Sequence, residues 1–204
     1  AVVFLLPFGR LADIYGRKKI FSLGILFFLL GSLAAALSRS GAMLLAARVI
    51  QGLGGGLVFG TATAILISVY PPEKRGHVIG WNIAAVYIGL SLGPPAGGWM
   101  VGQFGWRSIF WLNSLLCAVS LWLTLRYLRR EWKEAAGEKF DAPGAAAYAV
   151  GIVALMYGLS TLPASRGYAA LAAAAAALGL FIHWEGRTGT PLLEVRLLRG
   201  NRVF

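Results

Sequence analysis

A cluster of charged residues near the start of the chain is the first candidate for chemistry. Asp13 is the one carboxylate in a basic stretch that lies between Gly9 and Gly16 and continues just beyond it. A carboxylate at this spacing can pair with a basic neighbour or cap a helix, and glycines permit a tight turn between helices. We therefore predict a charged turn in which Asp13 either pairs with a basic neighbour or caps a helix, and a solvated cytoplasmic loop is the alternative. The basic neighbours are Arg10, Arg17, Lys18 and Lys19.

A second candidate is an arginine inside an apolar run. Arg48 would cost roughly 2.5–3.5 kcal/mol at the centre of a membrane helix. Gln51 and Gly52 share its face at the following turn, and Gly52, Gly56 and Gly60 continue that face as a stripe of small residues. We expect Arg48 to face the protein interior with a functional role. The alternative is that its side chain extends to the outer interface.

The third candidate is a glycine–proline segment, G-L-S-L-G-P-P-A-G-G, that begins at Gly89. Gly89, Gly93 and Gly97 are four residues apart, so they form one bare stripe on a helix, which suits close helix packing in lipid. Pro94 and Pro95 remove backbone donors and bend a helix. We predict a bent, tightly packed transmembrane helix here.

The composition excludes several functional classes. The chain has 204 residues, of which 58% are hydrophobic and 13% are charged, and its mean hydropathy is +0.70. Soluble domains carry roughly 25% charged residues, so this is an integral membrane sequence. A single cysteine, Cys117, and two distant histidines predict neither a disulfide nor a metal site. No acidic residue lies deep in an apolar run, and no set of catalytic side chains converges at membrane depth.

Six apolar runs approach the roughly 20 residues that cross the hydrocarbon, and residues 1–8 are predicted to be the end of an earlier span. Fifteen of the 19 basic residues lie in alternate connections, and three lie in the others. Basic loops face the cytoplasm, so the first charged cluster is predicted to be cytoplasmic. This placement explains the net charge of +11 without a nucleic acid partner. The predicted spans are 20–37, 42–69, 78–101, 109–125, 143–162 and 168–184.

Three segments in order resemble signatures of the major facilitator superfamily. The first cluster resembles G-x-L-A-D-x-x-G-R-K, although Ile14 stands where the family commonly has a basic residue. The run from Leu44 resembles L-x-x-x-R-x-x-Q-G-x-G, and the run from Gly89 resembles G-x-x-x-G-P-x-x-G-G, a pattern associated with antiporters. The matching residues are Gly9, Leu11, Ala12, Asp13, Gly16, Arg17 and Lys18; Leu44, Arg48, Gln51, Gly52 and Gly54; and Gly89, Gly93, Pro94, Gly97 and Gly98.

The resemblance implies an all-α membrane protein with the major facilitator fold, of which this chain is a part. Residues 1–128 would run from the end of span two through span six of the N-terminal half. Residues 129–142 would form a cytoplasmic connection. Residues 143–185 would form two additional central spans, as in the fourteen-span drug:proton antiporters, and residues 186–204 would lead into the C-terminal half.

The resemblance also implies alternating access around a midplane site. The five residues Gly9, Asp13, Gly16, Arg17 and Lys18 would act as a cytoplasmic latch that is made in one state and broken in the other. Arg48, with Gln51 and Gly52, is implicated in proton coupling or in positioning a charged relay. The Gly93–Pro94 bend, in a packing motif with Gly89, Gly97 and Gly98, would set the helix packing that seals the outer side.

The leading functional hypothesis is therefore proton-coupled efflux antiport of amphipathic drugs or related small molecules. It implies no cofactor beyond the proton gradient, no enzymatic activity, a monomer and the bacterial inner membrane. A carrier of one metabolite, such as a siderophore or an amino acid, is the alternative within the superfamily. A membrane enzyme or receptor-like scaffold is a remote third class.

Overall fold

The computed structural model describes residues 2–189 and 191–193, and within them the chain forms seven α-helices and no strand. The predicted all-α class is confirmed. Six of the helices, α2 to α7, are long and apolar enough to cross a membrane, and each contains most of one predicted span. The helices are α1 Val2–Tyr15, α2 Arg17–Ala36, α3 Gly41–Val69, α4 Pro72–Phe104, α5 Arg107–Tyr127, α6 Ala142–Ser160 and α7 Ser165–Glu185.

The helix boundaries follow from local residue chemistry. Ser40 caps α3 because its hydroxyl accepts the backbone N–H of Met43 at 3.2 Å. Pro72 occupies the first turn of α4, where a missing N–H has no cost. Gly105 ends α4 with a φ of 77°, a backbone conformation that residues other than glycine rarely adopt.

Close backbone approach holds α2 against α3. A Cβ added at Gly24 would lie 3.0 Å from the carbonyl oxygen of Gly54, and one added at Gly31 would lie 2.7 Å from the backbone nitrogen of Gln51. Helices in lipid associate through such small-residue contacts because lipid supplies no hydrophobic drive between them. α2 also packs against α5, and α1 packs against α3.

Helices α6 and α7 form a hairpin that also contacts α1. Asp141 begins the hairpin by accepting the backbone N–H of Gly144 at 3.1 Å, and its carboxylate also accepts the indole N–H of Trp184. At the other end of the hairpin sequence, Glu185 accepts the backbone N–H groups of Leu192 and Leu193. These two buried carboxylates therefore fasten the open end of the hairpin.

The helix α4 lies at the edge and has no buried residue. It continues through Pro94 and Pro95 without ending. Its contacts are with α5 and, to a smaller extent, α3.

The charged connections share one end of the helices. Arg17, at the α1–α2 turn, bonds both Ser68 at the end of α3 and Glu134 in the α5–α6 connection. At the opposite end, Arg107 donates to the carbonyl oxygen of Ser38 at 2.7 Å. The helices thus place the basic connections together, which the positive-inside prediction requires.

Cysteine labelling tests which end faces the cytoplasm. In the full-length protein carrying Cys117→Ser, we expect Arg166→Cys to react with an impermeant thiol reagent added to intact cells, and Lys133→Cys to react only after the cells are opened. Both native side chains are exposed, so access to them depends on the side of the membrane. Labelling of position 133 from outside would contradict the predicted orientation.

Candidate functional site

The turn between α1 and α2 consists of a single residue, Gly16. Its φ is +119°, and a Cβ there would lie 2.6 Å from Cδ of Glu131, so glycine is required for both conformation and space. The prediction that Gly9 also forms this turn is wrong. Gly9 lies inside α1, where a Cβ would meet the carbonyl oxygen of Gly60 at 3.6 Å.

Arg17 is the centre of the charged cluster and is only 6% exposed. Its Nε donates to Oδ1 of Asp13 at 2.7 Å, so Asp13 pairs with a basic neighbour, one of the two roles that the sequence left open. Its Nη1 donates to Oε1 of Glu134 at 2.6 Å and to the hydroxyl of Ser68 at 2.5 Å. This one guanidinium therefore joins α1, α3 and the α5–α6 connection. Hydrogen bonds in which one group is ionised are about twice as strong as neutral ones.

The α5–α6 connection, residues 128–141, covers the start of α2. The carboxylate of Glu131 accepts the backbone N–H of Lys18 at 2.8 Å and of Lys19 at 3.2 Å. The carbonyl oxygen of Trp132 accepts the N–H of Arg17 at 2.9 Å. The connection therefore satisfies three of the four N–H groups that a helix leaves open at its N-terminus, and its negative charge suits that end of the helix dipole.

A second ion pair ties the same connection to α1. Arg10 bonds the carboxylate of Glu138 through Nη2, and the backbone N–H of Ala135 donates to the carbonyl oxygen of Asp13 at 3.0 Å. Ile14, the departure from the family pattern, is 8% exposed, a position where an apolar side chain is favourable. Lys18 contributes its backbone to the cluster.

Arg48 lies near the other end of α3, roughly 30 Å from Ser68 along the helix. Its Nη1 donates to Oε1 of Gln51 at 2.8 Å, and Nε2 of Gln51 donates to the hydroxyl of Ser32 at 2.6 Å. Gln51 is 3% exposed and Ser32 is fully buried, and both have partners, as buried polar groups require. Arg48 itself is exposed in this chain and is linked to the buried side chains through its bond to Gln51. That it faces the interior of the full-length protein stays a prediction.

The small-residue face predicted for α3 packs only in part. Gly60 approaches α1 at the carbonyl oxygen of Leu5, whereas a Cβ added at Gly52 would meet nothing within 4 Å among the described residues. The contact with α2 is made instead by Gly54, where a Cβ would lie 2.5 Å from the backbone nitrogen of Phe28. The glycine at which α2 crosses α3 is therefore Gly54, and packing at Gly52 stays a prediction.

The glycine stripe of α4 is open in the part of the chain that the structure describes. A Cβ added at Gly89, Gly93 or Gly98 would meet nothing within 4 Å, and one at Gly97 would meet only the side chain of Ile109, at 3.8 Å. The close packing expected at this stripe and at Pro94 thus stays a prediction.

Four side chains of these networks were missed by sequence reasoning. Ser32 was one hydroxyl in an apolar run, and the three glutamates of the α5–α6 connection were read as ordinary loop charges. The glutamates are spaced three and four residues apart, which was the one available sign that they act together. Their partners are more than 100 residues away in sequence and could not be inferred from that spacing. The missed residues are Ser32, Glu131, Glu134 and Glu138.

Comparison with known proteins agrees with this architecture. The sequence profile described as Major Facilitator Superfamily matches residues 1–204. Multidrug resistance protein Stp of Mycobacterium tuberculosis is 36% identical over 203 residues, which are 97% of this chain and 38% of that protein. Multidrug resistance protein 3 of Bacillus subtilis is 37% identical over 152 residues, 74% of this chain and 30% of that protein.

A relative with a different named substrate also matches. Riboflavin transporter RibZ of Clostridioides difficile is 31% identical over 140 residues, 69% of this chain and 31% of that protein. The chain thus spans about a third of the length of these relatives. The family match and the six long apolar helices make it part of an integral, multi-pass membrane protein. The chain belongs to the major facilitator superfamily, a family of transporters rather than enzymes.

Proposed function

We propose that the full-length protein is a secondary active transporter that exports amphipathic drugs or related small molecules in exchange for protons. The observation that carries this proposal is the similarity of nearly the whole chain to a multidrug resistance protein. The protein would act as a monomer in the bacterial inner membrane. Residues 143–185 would be two spans added between its halves.

The charged cluster around Arg17 suits the role of a conformational latch. It joins α1, α3 and the α5–α6 connection through bonds from one buried guanidinium. A state in which these elements separate must break several charge-assisted bonds together. We therefore infer that the cluster stabilises one of the two access states, and that substrate or proton binding offsets its loss in the other.

The hydrogen bonds that link the exposed Arg48 to the buried Gln51 and Ser32 suit a role in proton coupling. Among the described residues, carboxylates lie at helix ends and in connections, whereas Arg48 lies within α3. An arginine cannot release its proton in a protein. We therefore infer that Arg48, held by Gln51, positions or balances charge for a titrating group elsewhere in the full-length protein.

Transport of one specific metabolite is the second candidate function. The similarity to a named riboflavin transporter favours it, because the same superfamily and the same segment of chain are involved. The two candidates differ in substrate range. A drug exporter accepts several unrelated amphipathic cations, whereas a metabolite carrier accepts one compound and its close analogues.

Transport by the full-length protein in liposomes tests both candidates. With an imposed pH gradient, we expect flux of several unrelated amphipathic drugs, and a protonophore should abolish it. Flux of riboflavin alone would favour the metabolite carrier. Drug flux that is the same without a pH gradient would contradict proton coupling.

The same assay tests the glycine stripe of α4. Gly93 is open in this chain, but we expect a neighbouring helix to pack against it in the full-length protein. Gly93→Leu would then overpack a tight contact, which typically costs about 1–3 kcal/mol. We expect reduced drug flux together with increased passive proton leak. Ile88→Leu is the control, because Ile88 is 57% exposed on the same helix and the change keeps volume and polarity. Equal behaviour of the two variants would remove the stripe as a packing surface.

A further inference from the structure

A groove of about 460 Å³ lies between α2 and α5 beside the charged cluster. Four leucines form its apolar part, and the two on α2 lie about 9 and 14 Å from the start of that helix, towards its middle. Three of them are at least 36% exposed, although they lie in helices that cross a membrane. The apolar part of the groove is therefore uncovered in this chain. The leucines are Leu23, Leu26, Leu121 and Leu125.

The mouth of the groove is basic. Lys18, Lys19 and Arg129 line it together with Glu131. The carboxylate of Glu131 already accepts hydrogen bonds from the backbone N–H groups of Lys18 and Lys19. Within the described residues none of the three basic side chains forms an ion pair. Three cations against one committed carboxylate leave the mouth positively charged.

The basic and apolar side chains of the groove follow one another in the same order as the headgroup and acyl chains of a phospholipid. The basic side chains stand at the end of two spanning helices, the level of headgroups, and the leucines continue below them at the level of acyl chains. Basic pockets between transmembrane helices bind anionic headgroups, and each nearby Lys or Arg strengthens such binding. A free phosphate would satisfy the cations but would leave the leucine-lined part of the groove unused.

We propose that the groove between α2 and α5 binds an anionic phospholipid, with its phosphate at Lys18, Lys19 and Arg129 and one acyl chain along the four leucines. The lipid would lie against Glu131, which caps α2. Its headgroup would therefore contact the same segment that the charged cluster holds in place. This site is independent of what the protein transports.

Native mass spectrometry of the full-length protein in detergent tests the proposal. The probes are phosphatidylglycerol, phosphatidylcholine with the same acyl chains, and glycerol 3-phosphate as the headgroup without chains. We expect retention of phosphatidylglycerol, with little retention of phosphatidylcholine and no competition from millimolar glycerol 3-phosphate. Equal retention of the two lipids, or full displacement by glycerol 3-phosphate, would overturn the proposal.

A matched pair of variants locates the site. Lys19→Gln with Arg129→Gln removes two charges at the groove, and we expect affinity for phosphatidylglycerol to fall by about tenfold or more. Arg130→Gln with Lys133→Gln removes two charges from exposed positions outside the groove and should change it less than twofold. Equal losses in both pairs would contradict a specific site.

A measurement on the unmodified protein covers the case in which a variant fails to fold. Raising the salt concentration tenfold should weaken phosphatidylglycerol binding severalfold, because salt screens interactions at exposed charges. It should leave phosphatidylcholine binding unchanged. Salt-independent binding of phosphatidylglycerol would mean that the basic residues do not read the headgroup, and the proposal would fail.

Discussion

Gly54→Ala is expected to be among the most destabilising single methyl additions in this chain. The new Cβ would lie 2.5 Å from the backbone nitrogen of Phe28 and 2.7 Å from the carbonyl oxygen of Gly24. Both neighbours are backbone atoms of α2, so a side-chain rotation cannot relieve the contact and the two helices must separate. Overpacking of this kind costs typically about 1–3 kcal/mol. It should also disturb the bond between Gln51 and Ser32, which spans the same two helices.

Gly52→Ala is the matched control, two residues away in the same helix. An added Cβ there has no neighbour within 4 Å, and alanine favours a helix over glycine by up to about 1 kcal/mol. Thermal unfolding of the full-length protein in detergent, followed by tryptophan fluorescence, should give a lower midpoint for Gly54→Ala and an unchanged or higher one for Gly52→Ala. Equal midpoints would contradict the crossing of α2 and α3 at Gly54.

Asp13→Asn is expected to impair transport by about tenfold or more while the protein still reaches the membrane. Asp13 is the better buried of the two carboxylates that pair with Arg17: its side chain is 27% exposed, against 65% for Glu134. Removing one partner of a buried pair costs up to about 3–5 kcal/mol, because the other charge is left without compensation. Here Glu134 and Ser68 still hold the guanidinium, so we expect a smaller cost in stability and a larger one in the balance between access states.

Glu134→Gln is the control for the same guanidinium. Its side chain is 65% exposed, and exposed ion pairs contribute only about 0.2–1 kcal/mol. We expect transport within about twofold of wild type. Transport rates should be normalised to the amount of protein in the membrane. A wild-type rate for Asp13→Asn at normal levels would contradict the latch, and an equal loss in both variants would mean that Asp13 has no special position.

The number, type and approximate extent of the helices could be predicted from the sequence alone. Apolar runs of sufficient length determine membrane helices, because lipid leaves the backbone no partner but itself. The α1–α2 boundary was less predictable. Gly9 and Gly16 look equivalent in sequence, yet of the two only Gly16 has a positive φ. The connection that carries Glu131 also packs against Gly16 and leaves no room for a side chain.

The candidate site divides in the same way. Asp13 and Arg17 are four residues apart, and Arg48 and Gln51 are three residues apart. Both are local spacings that can be identified in the sequence. The partners Glu134 and Ser32 come from distant parts of the chain. Only the packing of α2 against α3 and α5 brings them within bonding distance.

The sequence by itself determined the membrane class, the helices, the asymmetry of charge and the closeness of Asp13 to Arg17, because each depends on composition or on separation along the chain. The tertiary structure decided which glycine meets a neighbouring helix, which glutamates hold Arg17, and that a basic, leucine-lined groove opens between α2 and α5. These features depend on the angle and register at which helices cross. Contacts between distant residues set that register, and periodicity within one helix contains no information about it.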